Sequence, residues 1–140
     1  MSKKLSDVIS INRQFLRSIR LPDDFGQIEA INGFILQPSA KSLLDITAKH
    51  LVNTQQRAFT WTGPYGTGKS SLALALATYV GGKDEIKEIA KKSLNIRHDD
   101  DIYTFFNNDR SWKVLPVVGK HASIKEELGL VIDSYLYKQT

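Results

Sequence analysis

The order of sequence patterns predicts an α/β chain: a parallel-sheet core behind an α-helical N-terminal segment. Ala58-Phe59-Thr60-Trp61-Thr62 and Lys113-Val114-Leu115-Pro116-Val117-Val118 are short stretches rich in apolar, aromatic or β-branched residues, which suit a pleated, half-buried surface. Two helical patterns lie between them and a third follows, an alternation that sets strands parallel. Ahead of the first strand the apolar spacing is helical.

Behind Ser6, residues Val8, Ile11, Phe15 and Ile19 recur at helical spacing, predicting an amphipathic helix that packs on the body with its basic residues outward. Leu21-Pro22-Asp23-Asp24-Phe25-Gly26 breaks it with Pro and Gly. Gly33-Phe34-Ile35-Leu36 is a short apolar piece that stops at Pro38. With Ser39 as its cap, Leu43, Leu44, Ile46, Ala48 and Leu51 predict a helix, and residues 53–56 a polar connection. These features divide the chain into a helical segment over 1–52 and a partial core domain over 53–140.

The Ala- and Leu-rich run from Ser70 to Val80 reads as a helix closed by Gly81-Gly82. Asp84 to about Leu94 is the next helix, with Ile86, Ile89 and Ala90 on one side. The stretch from Arg97 to Arg110 is polar and has no clear period, although Ile102, Phe105 and Phe106 are available to dock. Pro116 sets the second strand near an edge or bulge. In the last helix, from Ser123 to about Tyr137, Ile124, Leu128, Val131, Ile132 and Tyr135 keep the 3.6 period.

Composition narrows the class. The 140 residues are 41% hydrophobic and 24% charged, with no Cys, which excludes a disulfide scaffold, a thiolate metal site and a cysteine nucleophile. The longest apolar run, Leu72 to Ala77, has six residues against the roughly 20 that span a bilayer. No apolar region follows the basic start, so no signal peptide is expected, and the expected location is the cytoplasm with no membrane partner. Net charge is +4. The excess lies in Lys3, Lys4, Arg13, Arg17 and Arg20, opposed in that stretch only by Asp7. This basic leader reads as the solvent face of a helix more readily than as a nucleic-acid contact.

One motif carries chemistry. Gly63-Pro64-Tyr65-Gly66-Thr67-Gly68-Lys69-Ser70 satisfies G-x-x-x-x-G-K-[ST], the pattern of a phosphate-binding loop. Glycines let backbone N–H groups curl around phosphates, and the following helix points its positive end at the anion. Lys69 would reach the β- and γ-phosphates, and the Ser70 hydroxyl would ligand Mg²⁺. The expected nucleotide contacts are Gly63, Pro64, Tyr65, Gly66, Thr67, Gly68, Lys69, Ser70 and Ser71. Lys69 is the expected catalytic charge and Ser70 the metal ligand.

At these residues the chain resembles the P-loop NTPase superfamily. The run from Trp61 to Ala73 looks most like AAA+ and STAND-type ATPases, and the whole chain is loosely similar to the N-terminal part of large bacterial ATPases. The resemblance implies ATP and Mg²⁺ as ligands, with Phe34, Ile35 and Leu36 over the adenine; a plain core role for those three is an equal alternative. Asn107-Asn108-Asp109-Arg110 lacks the Asn-Lys-x-Asp that marks guanine binders resembling the Ras class, which favours ATP.

The resemblance also implies an apolar strand ending in an acid, and about five strands rather than two. Leu130-Val131-Ile132-Asp133 is the one textual candidate for that acid, but its spacing belongs to the last helix. The expected core is therefore incomplete, and ATP hydrolysis would need an acid from the remainder of a larger ATPase or from a partner subunit. Two alternatives stand beside this reading: a non-catalytic nucleotide-sensing or assembly domain, and a small P-loop phosphotransferase. Elsewhere, His98-Asp99-Asp100-Asp101 reads as a solvated helix cap rather than a metal site. His50 and His121 lack partners at ligand spacing, Ser123 lacks a triad, Arg97 and Arg110 read as surface residues, and Tyr103 and Trp112 as core or rim aromatics.

Overall fold

The computed structural model describes Lys4 and residues 18–107, 112–119 and 121–137. Most of the expected N-terminal helix, with Val8, Ile11 and Phe15, lies outside the described residues, as does Arg110. Among the described residues seven helices follow in chain order: α1 (Leu21–Asp24), α2 (Ile28–Ile31), α3 (Pro38–Asn53), α4 (Lys69–Gly81), α5 (Asp84–Ser93), α6 (Asp101–Phe106) and α7 (Ile124–Tyr137).

The described residues contain no strand, so the expected parallel-sheet α/β core is not formed. Residues 58–62 and 113–118 form neither helix nor strand, and half-buried and exposed side chains alternate along 59–62 and 112–116. Among the described residues, neither segment makes a backbone hydrogen bond to the other or to a third. The physical reason is that β-propensity reports the fit of a side chain to an extended backbone, whereas a sheet also needs a neighbour at pairing distance. Here the two segments lie against helices instead. Trp61 packs on the helical core, and Val114 sits so close to α4 that a Cβ on Gly81 would stand 2.7 Å from its Cγ2.

That close approach gives a test. Gly81→Ala forces Val114 outward, although alanine favours the helix by about 1 kcal/mol. The shift should propagate to Trp112, whose ring packs tilted against Phe105 and edge-on against Phe106 at centroid separations of 5.4 and 5.3 Å. The expected result is a changed Trp112 emission, read in a Trp61→Phe background, with helical circular dichroism retained.

Short helices account for the other differences. Pro22 does not prevent α1, because it stands in the first turn where its missing N–H is not needed. Asp24, although buried, accepts the backbone N–H of Arg20 at 2.7 Å through Oδ2. Helix α3 begins at Pro38 with Gln37 as N-cap, rather than behind Ser39. The ambiguous polar stretch contains α6, opened by Asp100; Arg97 donates its backbone N–H to Asp100 Oδ2 at 2.9 Å. Asp100 stands at the N-cap position, but its carboxylate makes no cap hydrogen bond to α6 and turns back to the residues before it, so the expected solvated cap is only positional.

The core gathers Ile31, Leu44, Ala48, Leu72, Ala75, Tyr79, Ala90, Leu94, Ile96 and Ile102, all buried. Helix α4 packs on α5, and α3 on α6. Acidic residues open α5 and Lys91 and Lys92 close it, an arrangement favoured by the helix dipole. Helix α7 buries none of its residues. Among the described residues, no helix is long and apolar enough to cross a membrane.

Tyr79 is the largest fully buried side chain, and its hydroxyl has no hydrogen-bond partner among the described residues. Burial, with smaller contributions from the charges of Tyr103, Glu88 and Asp100, pushes its pKa up to about 12. Between pH 10 and pH 12 the unfolded chain therefore releases a proton that the folded chain keeps. This contribution to stability is complete below pH 10 and is lost as pH rises through the folded value. Tyr79→Phe should remove that part of the alkaline loss and, by deleting an unpaired buried hydroxyl, leave stability at pH 7 unchanged or raised. Urea midpoints of both proteins from pH 7 to 12 test it.

Candidate phosphate-binding loop

The motif occupies the turn between segment 58–62 and helix α4. Its glycines fall where the backbone needs them. Gly66 and Gly68 have φ of 80° and 79°, in the left-handed region that costs other residues roughly 1–2 kcal/mol. Left-handed residues that alternate with ordinary ones turn successive N–H groups toward one concave side, an anion-binding arrangement. Gly68 is also the N-cap of α4, which has no side-chain cap. The N–H groups of Lys69, Ser70 and Ser71 in its first turn thus lack intrahelical acceptors and remain available.

Lys69 folds back across the loop. Its Nζ donates to the carbonyls of Gly63 at 2.9 Å and Pro64 at 2.6 Å, and to Thr67 Oγ1 at 3.3 Å. Thr67 Oγ1 in turn donates to the Pro64 carbonyl at 2.9 Å. All three ammonium protons are engaged by neutral oxygens. Those contacts are weaker than charge-assisted bonds to an anionic oxygen, so a phosphate can displace them at a gain. A Cβ at Gly63 would lie 3.4 Å from Thr67 Oγ1, which shows how closely the two ends of the loop meet.

The structure brings Gly63, Pro64, Thr67 and Lys69 into one contact network, with Gly66, Gly68 and Ser70 adjoining it along the chain. Ser70 is exposed at the start of α4, and Ser71 is half-buried behind it. The Tyr65 side chain is 96% exposed. Of the three expected adenine contacts, Phe34 and Leu36 pack against the core, whereas Ile35 is 75% exposed.

The secondary candidates also find places. Asp133 lies within α7 rather than at the end of a strand. Arg97 forms ion pairs with Asp99 at 3.7 Å and Asp100 at 3.6 Å, and Lys41 reaches Asp100 at 3.7 Å. Tyr103 carries His98 against its ring and Lys91 Nζ at 4.7 Å from its centroid. These are ties between elements rather than groups converging on a ligand. Among the described residues no three His, Asp or Glu side chains are grouped to hold a metal.

A feature the motif does not announce is a cavity of about 410 Å³ between α3 and segment 58–62. Leu43, Ile46, Thr47 and His50 form one wall, and Ala58, Phe59, Thr60 and Trp61 the other, with Gln56 at the margin. The signal for it was the alternation through Phe59 and Trp61, facing a helix whose apolar stripe includes Ile46.

No family model matches this chain, and neither the curated proteins nor the solved structures yield a match.

Proposed function

We propose that the loop from Gly63 to Ser70 binds the phosphates of ATP together with Mg²⁺. The observation that carries this reading is the coincidence of motif and conformation. The two glycines closest to Lys69 adopt the positive φ that a phosphate-cradling backbone requires, and the Lys69 ammonium already lies across the same loop. The uncapped first turn of α4 adds backbone donors and the positive end of a helix dipole.

The donor set suits Mg²⁺. This ion holds most of its waters and usually takes one or two protein oxygens beside the phosphates of its nucleotide. The exposed Ser70 hydroxyl at the first turn of α4 would supply one such oxygen. When bound, the ion would neutralise charge on the β- and γ-phosphates. Lys69 would bind the same phosphates as a point charge, and Gly66, Thr67, Gly68 and Ser71 would orient them through backbone N–H groups.

The function so read is binding. Turnover would require, beyond the loop itself, an acid to hold the metal and polarise water. Calorimetric titration tests the binding step: ATP with Mg²⁺ should bind in the micromolar range and more tightly than GTP. If folded protein shows no heat with either nucleotide, the reading is wrong.

A further inference from the structure

The segment ahead of the loop has a second feature, in its backbone. From Phe59 to Thr62 no N–H donates to, and no C=O accepts from, any group among the described residues. Only the Ala58 carbonyl is used, by Gln56 Nε2 at 3.2 Å. The side chains nevertheless behave as those of a paired strand: Phe59 and Trp61 are half-buried while Thr60 and Thr62 face out. Directly beside this backbone lies the cavity of about 410 Å³. Its far wall includes Ile46, which is 57% exposed. The lining contains no Lys, Arg, Asp or Glu, and His50 is its sole titratable group.

We infer that this segment and its cavity accept an extended polypeptide strand from outside these 140 residues. The strand would pair through its main chain with Phe59–Thr62 and set alternate apolar side chains into the cavity. Unpaired N–H and C=O groups along a non-helical backbone whose side chains alternate in burial match the main chain of another strand, and a neighbouring pocket for alternate side chains completes the known mode of strand addition. A helix has already used its own backbone groups within itself, so it would cover the cavity and leave the edge unpaired.

A second copy of the chain fits less well. Its own matching segment is only about five residues long, roughly 17 Å. At one end stands the turn where Arg57 Nη1 donates to the carbonyls of Thr54 and Gln56 at 3.0 and 2.7 Å. At the other the glycine loop begins. The inference is independent of the nucleotide reading, since no residue of the Gly63–Ser70 loop takes part.

A phage-displayed library of random nine-residue peptides, panned on the intact chain, supplies the probe. The recovered peptide is then synthesised and titrated, and amide exchange is followed residue by residue by NMR. The expected result is a peptide with alternating apolar residues that slows exchange at every second amide of residues 59–62 by at least tenfold. That pattern of period two marks pairing along one edge, and contacts to side chains alone would not produce it. Ile46→Lys should weaken the peptide at least tenfold and leave ATP binding unchanged. If that variant fails to fold, the exchange pattern decides by itself. The inference is overturned if panning recovers no binder, if the peptide protects other amides, or if residues 59–62 are already protected in the free monomer. It is equally overturned if the chain dimerises and protects those amides without peptide.

Discussion

Lys69→Ala should weaken ATP–Mg²⁺ binding by about 10- to 100-fold, the effect of losing a charge-assisted contact worth roughly 1.5–3 kcal/mol. Removing the ammonium also releases the carbonyls of Gly63 and Pro64 and the hydroxyl of Thr67 from their shared donor. These acceptors lie on an exposed loop where water replaces it, so global stability should change by less than about 0.5 kcal/mol. Binding and folding therefore separate in this variant. Lys69→Arg keeps the charge but presents a planar fork where a compact ammonium fits between two adjacent carbonyls. It should recover only part of the affinity. Calorimetry beside urea denaturation reads both quantities. An unchanged ATP affinity in the alanine variant would place the nucleotide elsewhere, or nowhere.

The largest loss of stability is expected at Leu44. This side chain is 1% exposed, on the face of α3 that enters the core beside Ala48. Leu44→Ala removes buried methyl groups and leaves a cavity, at a cost of roughly 2–5 kcal/mol. Domains of this size commonly hold only about 5–15 kcal/mol in total, so the upper end of that range would leave a substantial unfolded fraction at 25 °C. The contrast is Leu130→Ala. Leu130 is 65% exposed on α7, and its truncation should stay within about 0.5 kcal/mol. Urea midpoints followed at 222 nm rank the two. Equal losses would mean that α7 packs against the body in solution.

The long helices were legible from repeating apolar positions or, for α4, from a run rich in Ala and Leu. Leu43, Leu44, Ile46, Ala48 and Leu51 marked α3, and the run from Ser70 to Val80 marked α4 to within a residue at either end. The four-residue helices α1 and α2 and the six-residue α6 were not, since a period cannot show itself in one turn. Ile31 and Ile102, both core residues, sit in those short pieces. The sheet failed for a different reason. Phe59, Thr60 and Trp61 advertise an extended backbone, yet pairing depends on a second segment arriving alongside, which no local pattern encodes.

Part of the loop's backbone conformation was legible as well. Its glycines were read as positions of special backbone conformation, and Gly66 and Gly68 hold that conformation. Its lysine was read as a phosphate contact and catalytic charge, and its present bonds to Gly63, Pro64 and Thr67 follow from the curvature of the loop rather than from any residue type.

The position of the core along the chain has a calorimetric consequence. Among the described residues, the buried apolar side chains run from Ile31 to Ile102, and α7 contributes none. Unfolding raises heat capacity by about 12–15 cal/mol/K per residue in domains that bury their chain evenly. At that rate 140 residues would yield about 1.7–2.1 kcal/mol/K. With the buried apolar side chains of the described residues confined to 31–102, the value should fall below this, so the chain's stability curve should be shallow. Its melting should accordingly be spread over a wide span of temperature, and a strand bound along residues 59–62 should sharpen it.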